Sequence, residues 1–187
     1  ENVQETVLTA RVFENETENT DARGVPPHAV NPVVLSEPVG GPYTDDDEIA
    51  EQILIAKGGG TQSYGTTVIQ KPNPQGFGPL IPIGFSRPTV RYAHIQITVT
   101  EGEGFPQVGD PATTIREAVV TALQRGGDLY LDLGVDLVRF QLAEPINEAV
   151  EGIQGAVILL AQTLNPGDPP SFAGADISVA DDEILVA

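Results

Sequence analysis

The sequence predicts an α+β protein of two small modules, residues 1–86 and 87–187, each with a mostly antiparallel sheet covered by amphipathic helices. Several short segments alternate apolar with polar residues, as half-buried strands do. Other segments carry apolar residues at the three- and four-residue spacing of a core-facing helix. Both halves mix the two kinds of segment, and 187 residues with 40% hydrophobic content suffice for two small cores.

The first module is predicted to begin with two strands. In residues 8–13 apolar side chains alternate with polar ones. Residues 30–35 form the second strand, but Pro32 lacks the backbone N–H that a central strand donates, so this strand is expected at an edge or a bulge. A polar segment with several turn-forming residues, 14–27, connects the two strands.

A helix follows these strands. Thr44 or Asp45 is the predicted N-cap. An acid three residues later, Asp47 or Glu48, would complete a capping box. The three glycines at 58–60 end the helix. The predicted core-facing residues are Ile49, Ile53 and Ala56.

The remainder of the first module is predicted to be one strand and one loop. Residues 66–70 read as the strand. Residues 71–83 are rich in Pro and Gly and are predicted to be a loop at the tip of a long hairpin. Phe85-Ser86-Arg87-Pro88 is predicted to join the two modules.

The second module opens with the clearest strand of the chain, residues 93–100, in which aliphatic and polar residues alternate. Asp110 is a favourable N-cap, and Pro111 stands at the first helical position, where proline is tolerated. Gly126-Gly127 ends the resulting helix. Its predicted core-facing residues are Ile115, Ala118, Val119, Ala122 and Leu123.

Further along, residues 135–150 are predicted to be helical, with Pro145 kinking or dividing the helix. Residues 152–155 are predicted to turn the chain into a buried strand at 156–161. The last apolar pattern comprises Ile177, Val179, Ile184 and Leu185.

Composition excludes several classes of function. The formal net charge of −18 repels phosphate backbones and anionic lipid surfaces, so neither nucleic acid nor a membrane is an expected partner. Without cysteine there are no disulfides, thiolate metal sites or cysteine nucleophiles. The chain does not begin with Met and starts in a polar segment, so a preceding N-terminal portion is expected.

Five short motifs stand in a particular order in the first half of the chain. They are Val12-Phe13-Glu14-Asn15, Thr20-Asp21-Ala22-Arg23-Gly24-Val25-Pro26-Pro27-His28, Asp47-Glu48-Ile49-Ala50 followed by Lys57, Tyr64-Gly65-Thr66, and Phe85-Ser86-Arg87-Pro88. In order and spacing they resemble the baseplate J-like proteins of contractile phage tails and tailocins. Residues 137–155 and the acidic end at 182–184 are similar to the closing part of that family, so the resemblance covers nearly the whole chain.

The resemblance implies the C-terminal portion of a structural wedge subunit. Such a subunit lies around the central hub, links it to the outer fibre-bearing parts and rearranges when the sheath contracts. Its implied location is the tail baseplate of the virion, after assembly in the host cytoplasm. The implied partners are other copies of itself and other wedge or hub proteins, with no enzyme activity, cofactor, metal or small-molecule substrate.

Segment 14–28 and the loop at 71–83 are the candidate binding surfaces. Both are long and rich in turn residues, and Pro26-Pro27 would stiffen the first and lower the ordering cost of docking. Tyr64 and Gly65 are expected to fix a turn. The interface candidates that the motifs imply are Glu14, Asn15, Thr20, Asp21, Gly24, Pro26, Pro27, His28, Tyr64, Gly65 and Arg87.

Catalytic patterns are weak by comparison. The two histidines, His28 and His94, accompany no nucleophile-elbow motif. The acids at 45–48 lack the calcium-loop pattern and are explained by helix capping. Lys57 precedes its glycines, the reverse of a phosphate-binding loop. Carboxylate pairs are plentiful, but a sugar-cleaving site usually adds aromatic platforms, and Trp is absent.

Two other function classes stay open at this point. A secreted carbohydrate-binding or adhesin module would also be acidic and rich in loops, and would need an aromatic-lined groove. A metal-dependent hydrolase would need a concave acidic site, and chelation would lower its thermal stability.

Overall fold

The computed structural model describes residues 7–124 and 126–187. They fall into two compact units, of which the first ends at Pro88 and the second begins at Thr89. Each unit combines small sheets with helices, which confirms the predicted α+β class. Most strand pairs are antiparallel, and two pairs are parallel.

The first sheet of unit 1 has three strands. β1 (Val7–Glu14) pairs antiparallel with β2 (Ala29–Ser36), as the alternation predicted. A two-residue strand, β3 (Gln62–Ser63), pairs parallel with the start of β2, so the order is β1-β2-β3. β2 is therefore the central strand, and its side chains are almost all buried.

The prediction that Pro32 marks an edge or a bulge is wrong. Pro32 lies in the central strand opposite Val12, with no register shift at that pair. The Tyr64 N–H donates to the Val30 carbonyl at 2.8 Å. In a regular parallel ladder the next hydrogen bond would run from the backbone N–H of residue 32 to the Tyr64 carbonyl, and proline has no N–H to donate. The Asn31 amide, oriented to satisfy its neighbours, donates to that carbonyl at 3.0 Å. A side chain thus replaces the donor that proline lacks.

Helix α1 (Asp46–Ala56) begins and ends where the sequence predicts, but two details of the prediction are wrong. Asp45 occupies the N-cap without a side-chain capping bond, because its carboxylate is held by Arg87. The buried face is centred on Ile49 and Ala50, and Ala56 is exposed. Ile53 and Leu54 complete the contact with the core.

A hairpin of β4 (Thr67–Lys71) and β5 (Ile81–Phe85) forms the second sheet of unit 1. The predicted loop therefore ends at Leu80 and not at residue 83. Ile83 and Phe85 are fully buried against α1, while Pro82 and Gly84 occupy the alternate positions. Pro and Gly are typical of loops, and this composition concealed the strand.

Unit 2 contains a sheet of order β7-β6-β8. β6 (Thr89–Glu101) includes the predicted strand and pairs antiparallel with β7 (Ile153–Thr163). β8 (Glu183–Val186) runs parallel to the start of β6. The aliphatic face of β6 packs against the core, as its alternation predicted. That core is formed by Phe105, Ile115, Val119, Leu123, Leu131, Leu137, Leu142, Ile146, Val150, Leu160, Ile177 and Leu185.

Helix α2 (Pro111–Leu123) confirms its prediction closely. The Asp110 carboxylate accepts a hydrogen bond from the Thr113 N–H at 3.1 Å, and proline stands in the first turn. Hydrogen bonds from Thr113 lower the pKa of Asp110. The buried face comprises Ile115, Val119 and Leu123.

The helix predicted over 135–150 is shorter than expected. A 3-10 turn (Arg139–Leu142) leads into α3 (Ala143–Ala149). Before it, Leu137 exchanges two backbone hydrogen bonds with Ile177, of 2.9 and 3.0 Å, so the chain there is extended. Pro145 lies in the first turn of α3, and the helical run divides into its 3-10 and α segments just before this residue.

β7 also differs in part from its prediction. It begins at Ile153, inside the segment predicted to be a turn, and only Leu160 and Ala161 are buried. Ala156 and Val157 are exposed, so the strand is only partly covered. The closing apolar pattern is confirmed, since Ile177, Ile184 and Leu185 are buried and Val179 packs against the core.

Candidate interaction surfaces

The loop between β1 and β2, residues 15–28, folds around the side chain of Asn15. This residue is 2% exposed. Its Nδ2 lies 2.7, 2.8 and 3.1 Å from the carbonyl oxygens of Asn19, Val25 and Pro26. Its Oδ1 accepts from the N–H and the hydroxyl of Thr17, at 3.0 and 2.7 Å. One buried amide therefore fixes both ends of the loop.

Asp21 closes a second turn inside the same loop. Its Oδ1 accepts from the backbone N–H groups of Arg23 and Val25, both at 2.9 Å. Gly24 adopts φ +80°, a conformation that favours glycine, and its N–H donates to the Asp21 carbonyl at 3.0 Å. Val25 is fully buried beneath this turn. The loop is therefore a folded element with its own internal bonds.

The family-motif residues of this loop divide into two groups. Asn15, Asp21 and Gly24 hold the loop together, and Pro26 is half-buried. The other group faces solvent and is available to a partner: it comprises Glu14, Thr20, Pro27 and His28. The His28 Nε2 lies 3.4 Å from the Glu18 carboxylate, and both side chains are exposed. An exposed pair of this kind contributes little to stability.

Tyr64 and Gly65 lie in the short segment between β3 and β4, and both come close to other elements. A Cβ atom on Gly65 would lie 2.1 Å from the Phe85 carbonyl carbon, so any larger residue would collide with backbone. A Cβ on Gly24 would lie 3.5 Å from the Tyr64 hydroxyl, which places this phenol beside the 15–28 loop. Tyr64 therefore lies beside the 15–28 loop, and Gly65 lies against the end of β5.

Arg87 is a structural residue of unit 1. Its side chain is 12% exposed, and its Nη2 lies 2.7 Å from Asp45 and 2.6 Å from Asp46. Nη1 donates to the Val34 carbonyl and to the Ser36 hydroxyl, at 3.1 and 2.8 Å. The guanidinium also stacks over the Tyr43 ring, 4.0 Å from its centroid. The sequence offered no local indication of this network, because the acids lie about forty residues earlier.

The tip of the β4–β5 hairpin, residues 72–80, is a second exposed surface. Phe77 is 72% exposed and Leu80 is 56% exposed. No Asp, Glu, Lys or Arg occurs from residue 72 to residue 86, in a chain with a net charge of −18. At the base, Lys71 is buried, and its Nζ lies 2.9 Å from Asp47 and 3.4 Å from Glu51. The hydrogen bond to Asp47 raises the pKa of Lys71 and ties the hairpin to α1.

His94 and Lys57 form hydrogen bonds within the fold, whereas His28 is exposed. His94 lies on β6 with its Nε2 2.9 Å from the Thr163 hydroxyl. Lys57 donates to the Thr61 carbonyl at 3.0 Å, within the turn that follows α1. Within residues 7–124 and 126–187, no three His, Asp or Glu side chains converge as a metal site would require. None of the helices in these ranges is long and apolar enough to cross a membrane.

Comparison with known proteins leaves these surfaces as the main guide to function. No protein-family model matches the sequence, and the curated proteins contain no significant match to it.

Proposed function

We propose that this chain is a structural baseplate wedge subunit of a contractile phage tail or related injection machine. It assembles through protein–protein interfaces with copies of itself and with other wedge or hub proteins. The observation that carries the proposal is the folded 15–28 loop, in which the family-like motif residues build a rigid support and leave an exposed rim. The proposed location is the tail baseplate of the virion.

A rigid loop suits an assembly protein for an energetic reason. Binding costs free energy wherever a partner must first be ordered. Here Asn15 and Asp21 already hold the loop in one conformation, so the exposed rim at Thr20, Pro27 and His28 docks at low entropic cost. The same bonds make the rim a surface of fixed shape, which favours one partner over others.

The hairpin tip supplies a contact of a different kind. Phe77 and Leu80 are large apolar side chains that extend into solvent. Such side chains serve as anchors when they enter a pocket of a partner, and aromatic residues are enriched among anchors. The absence of charge from residue 72 to residue 86 removes the cost of desolvating charged groups there.

Charge determines the kind of partner. With a net charge of −18 the chain is attracted to basic patches on neighbouring proteins, and this attraction weakens as salt is added. Rearrangement on sheath contraction would exchange one set of paired surfaces for another, which requires two competing sets of interfaces and no bond chemistry.

The test is a pull-down from disrupted virions with the whole chain as bait. A loop variant carries Thr20→Ala, Pro27→Ala and His28→Ala, which alter the exposed rim and leave Asn15 and Asp21 in place. A matched control carries Gln52→Ala, Gln70→Ala and Gln75→Ala, three exposed residues of the same unit. Mass spectrometry of the recovered proteins identifies the partners.

We expect the wild-type and control baits to recover wedge or hub proteins, and the loop variant to recover markedly less. Equal recovery by all three baits would show that the loop is not the interface. Recovery of no tail protein, together with binding of a glycan by the isolated chain, would replace the proposal with a carbohydrate-binding role. Loss of thermal stability on chelation would instead favour a metal-dependent enzyme.

A further inference from the structure

One edge of the β6 strand in unit 2 is open over part of its length. β7 pairs with one side of β6 from Tyr92 to Glu101. On the other side β8 pairs only with the start of β6, as far as Tyr92. The Thr89 N–H donates to the Asp182 carbonyl on the β8 side, at 3.1 Å. Backbone groups of successive strand residues point to opposite sides, so the odd-numbered residues of β6 face the β8 edge.

The open groups begin one residue beyond the last β6–β8 pair. In a parallel ladder the residues on both sides of a paired residue bond to its partner, so the pair Tyr92–Val186 uses the Ala93 N–H. The open groups are therefore the Ala93 carbonyl and both backbone groups of Ile95, Ile97 and Val99. Within the described ranges, no other group of the chain bonds to them.

An apolar groove of about 520 Å³ lies between this edge and helix α2. Its floor is formed by the side chains of the same odd-numbered residues, which are only half-buried. Its wall includes Ala112, Arg116 and Val120, which lie four residues apart and so share one flank of the helix. Ala187, directly after β8, also lines the groove, so the groove continues the line of β8. A strand placed there would point alternate side chains into it.

Arg116 is the one charged side chain in the lining of this groove. Of the Lys and Arg side chains that the structure describes, it alone makes no hydrogen bond, ion pair or ring contact. Its charge adds to the hydrogen bonds from Thr113 that lower the pKa of Asp110, but the Arg116 and Asp110 side chains are not bonded to each other. In a chain with 27 acidic residues this guanidinium is left available to a carboxylate of a partner.

We propose that this groove binds an extended, acidic segment of a partner protein, which adds to the open edge of β6 as a strand beyond the end of β8. The open N–H and carbonyl groups of β6 bond to the backbone of the segment. Alternate side chains of the segment enter the groove, where aliphatic residues match the apolar floor. One of these groove-facing side chains is an Asp or Glu that pairs with Arg116.

The sequence of β6 favours such a segment over a second copy of this strand. From Tyr92 to Thr100 there is no Asp, Glu, Lys, Arg or Pro, the residues with which natural proteins keep other strands away from an open edge. The same stretch offers no carboxylate, so a second copy of it would leave Arg116 unpaired. A partner with one carboxylate at this place can be basic elsewhere, as the net charge of −18 favours. The place of this contact in a baseplate rests on the proposed function.

The test uses the purified chain and a synthetic peptide with blocked ends, in which threonine alternates with valine, glutamate and valine. Hydrogen exchange followed by NMR measures each amide with and without the peptide. Because the bound peptide occupies the open edge, we expect slower exchange of the Ile95, Ile97 and Val99 amides. The amides of Gln96 and Thr98 face β7 and should change little. Slower exchange of neither set, or equal slowing of both sets, would overturn the strand addition.

Charge reversal tests the role of Arg116. A second peptide carries lysine in place of the glutamate, and fluorescence anisotropy measures the affinity of each labelled peptide. We expect the wild-type chain to bind the glutamate peptide about five-fold more tightly, as an exposed ion pair allows. Arg116→Glu should reverse this preference. Lys57→Glu makes the same change of net charge in unit 1 and should keep the wild-type preference.

Three results would overturn the proposal. One is equal affinity of the wild-type chain for both peptides, and another is a preference for glutamate that Arg116→Glu retains. The third is a wild-type dimer in which the Ile95, Ile97 and Val99 amides are protected without peptide, since a second copy would then occupy the edge. These measurements use purified protein alone, so their failure is distinguishable from failure of the virion pull-down.

Discussion

Unit 1 and unit 2 are filled with different kinds of side chain. Among the described residues, every buried polar or charged side chain belongs to unit 1: Asn15, Asn31, Ser36, Asp45, Ser63 and Lys71. Unit 2 buries aliphatic and aromatic side chains from its sheet, its helices and its connecting loops. A buried polar network is stable only when each donor has an acceptor. The stability of an apolar core depends mainly on how completely its side chains fill the available volume.

The difference bears on how each unit holds its irregular segments in place. In unit 1 the network fixes irregular backbone, such as the 15–28 loop, because a buried amide replaces the hydrogen bonds that a strand or helix would supply. In unit 2 the segments between regular elements instead contribute apolar side chains, such as Leu131 and Leu137, to the core. Substitutions that remove a hydrogen-bonding or charged partner should therefore lower the stability of unit 1 strongly. Substitutions that create a cavity should lower the stability of unit 2 strongly.

The largest effect is expected from Arg87→Ala. It removes the partner of Asp45, whose side chain is 6% exposed, and leaves a buried charge unpaired. The expected loss of stability in unit 1 is about 3–5 kcal/mol. Arg139→Ala is the matched control, because its ion pair with Asp176 in unit 2 is half-exposed and should contribute at most about 1 kcal/mol. Hydrogen exchange resolved by peptide reports each unit separately, and equal losses for the two variants would contradict the comparison.

Leu142→Ala should act almost as strongly on the other unit. Leu142 is completely buried in the apolar core of unit 2. Its truncation removes contacts and leaves a cavity, with an expected cost of about 2–5 kcal/mol. Leu164→Ala, at an exposed position of the same unit, is expected to be nearly neutral. Hydrogen exchange resolved by peptide, measured beside chemical denaturation, would show whether the loss of protection is confined to unit 2.

Asn15→Ala is expected to have a smaller and more local effect. It leaves the Val25 and Pro26 carbonyls without their side-chain donor, at a cost of about 1–3 kcal/mol. The amides of residues 15–28 should then exchange faster, while the β1–β2 ladder stays protected. Asn19→Ala is the control, because Asn19 accepts from Asn15 through its carbonyl oxygen and not through its side chain. Unchanged exchange in the loop would refute the role given to the Asn15 amide.

The smallest expected effect is a change in how the stability of unit 2 depends on pH. A hydrogen bond from Arg91 lowers the pKa of Glu183 below its ordinary value of 4.5. A carboxyl group whose pKa is lower in the folded state than in the unfolded state stabilises the protein at any pH above its unfolded-state pKa. This contribution is lost as the pH falls through the folded-state pKa. Glu183→Gln should thus weaken unit 2 at neutral pH, with a difference that shrinks in acid. Thermal melts from neutral to acidic pH measure this, with Glu103→Gln, at an exposed position, as control.

The sequence predicted the regular elements where the side-chain pattern was local. The alternation in β6 and the capping of α2 by Asp110 both depend on neighbours a few residues away, and both predictions are confirmed. β5 was missed because Pro82 and Gly84, which occupy its alternate positions, are typical of loops. The close approach of Gly65 to the Phe85 backbone joins residues twenty positions apart and leaves no local pattern in the sequence.

The candidate surfaces were predictable as segments but not as structures. Turn-forming residues identified 14–28 as exposed, yet they did not show that Asn15 would be buried at its centre. Asp45 was expected to cap α1, and the structure gives its carboxylate to Arg87 instead. In each case a contact between distant parts of the chain takes a polar side chain away from the local role that its neighbours suggest.

The burial of Asn15 also bears on how the protein should be produced. Asn15-Glu16-Thr17 matches the acceptor sequence for N-linked glycans. In the folded chain the Asn15 amide is enclosed and bonded to Val25 and Pro26, so it is inaccessible to a glycosyl transferase. In a eukaryotic secretory host a sugar could be attached only before folding, and the 15–28 loop could not then close around it. Bacterial expression avoids this modification.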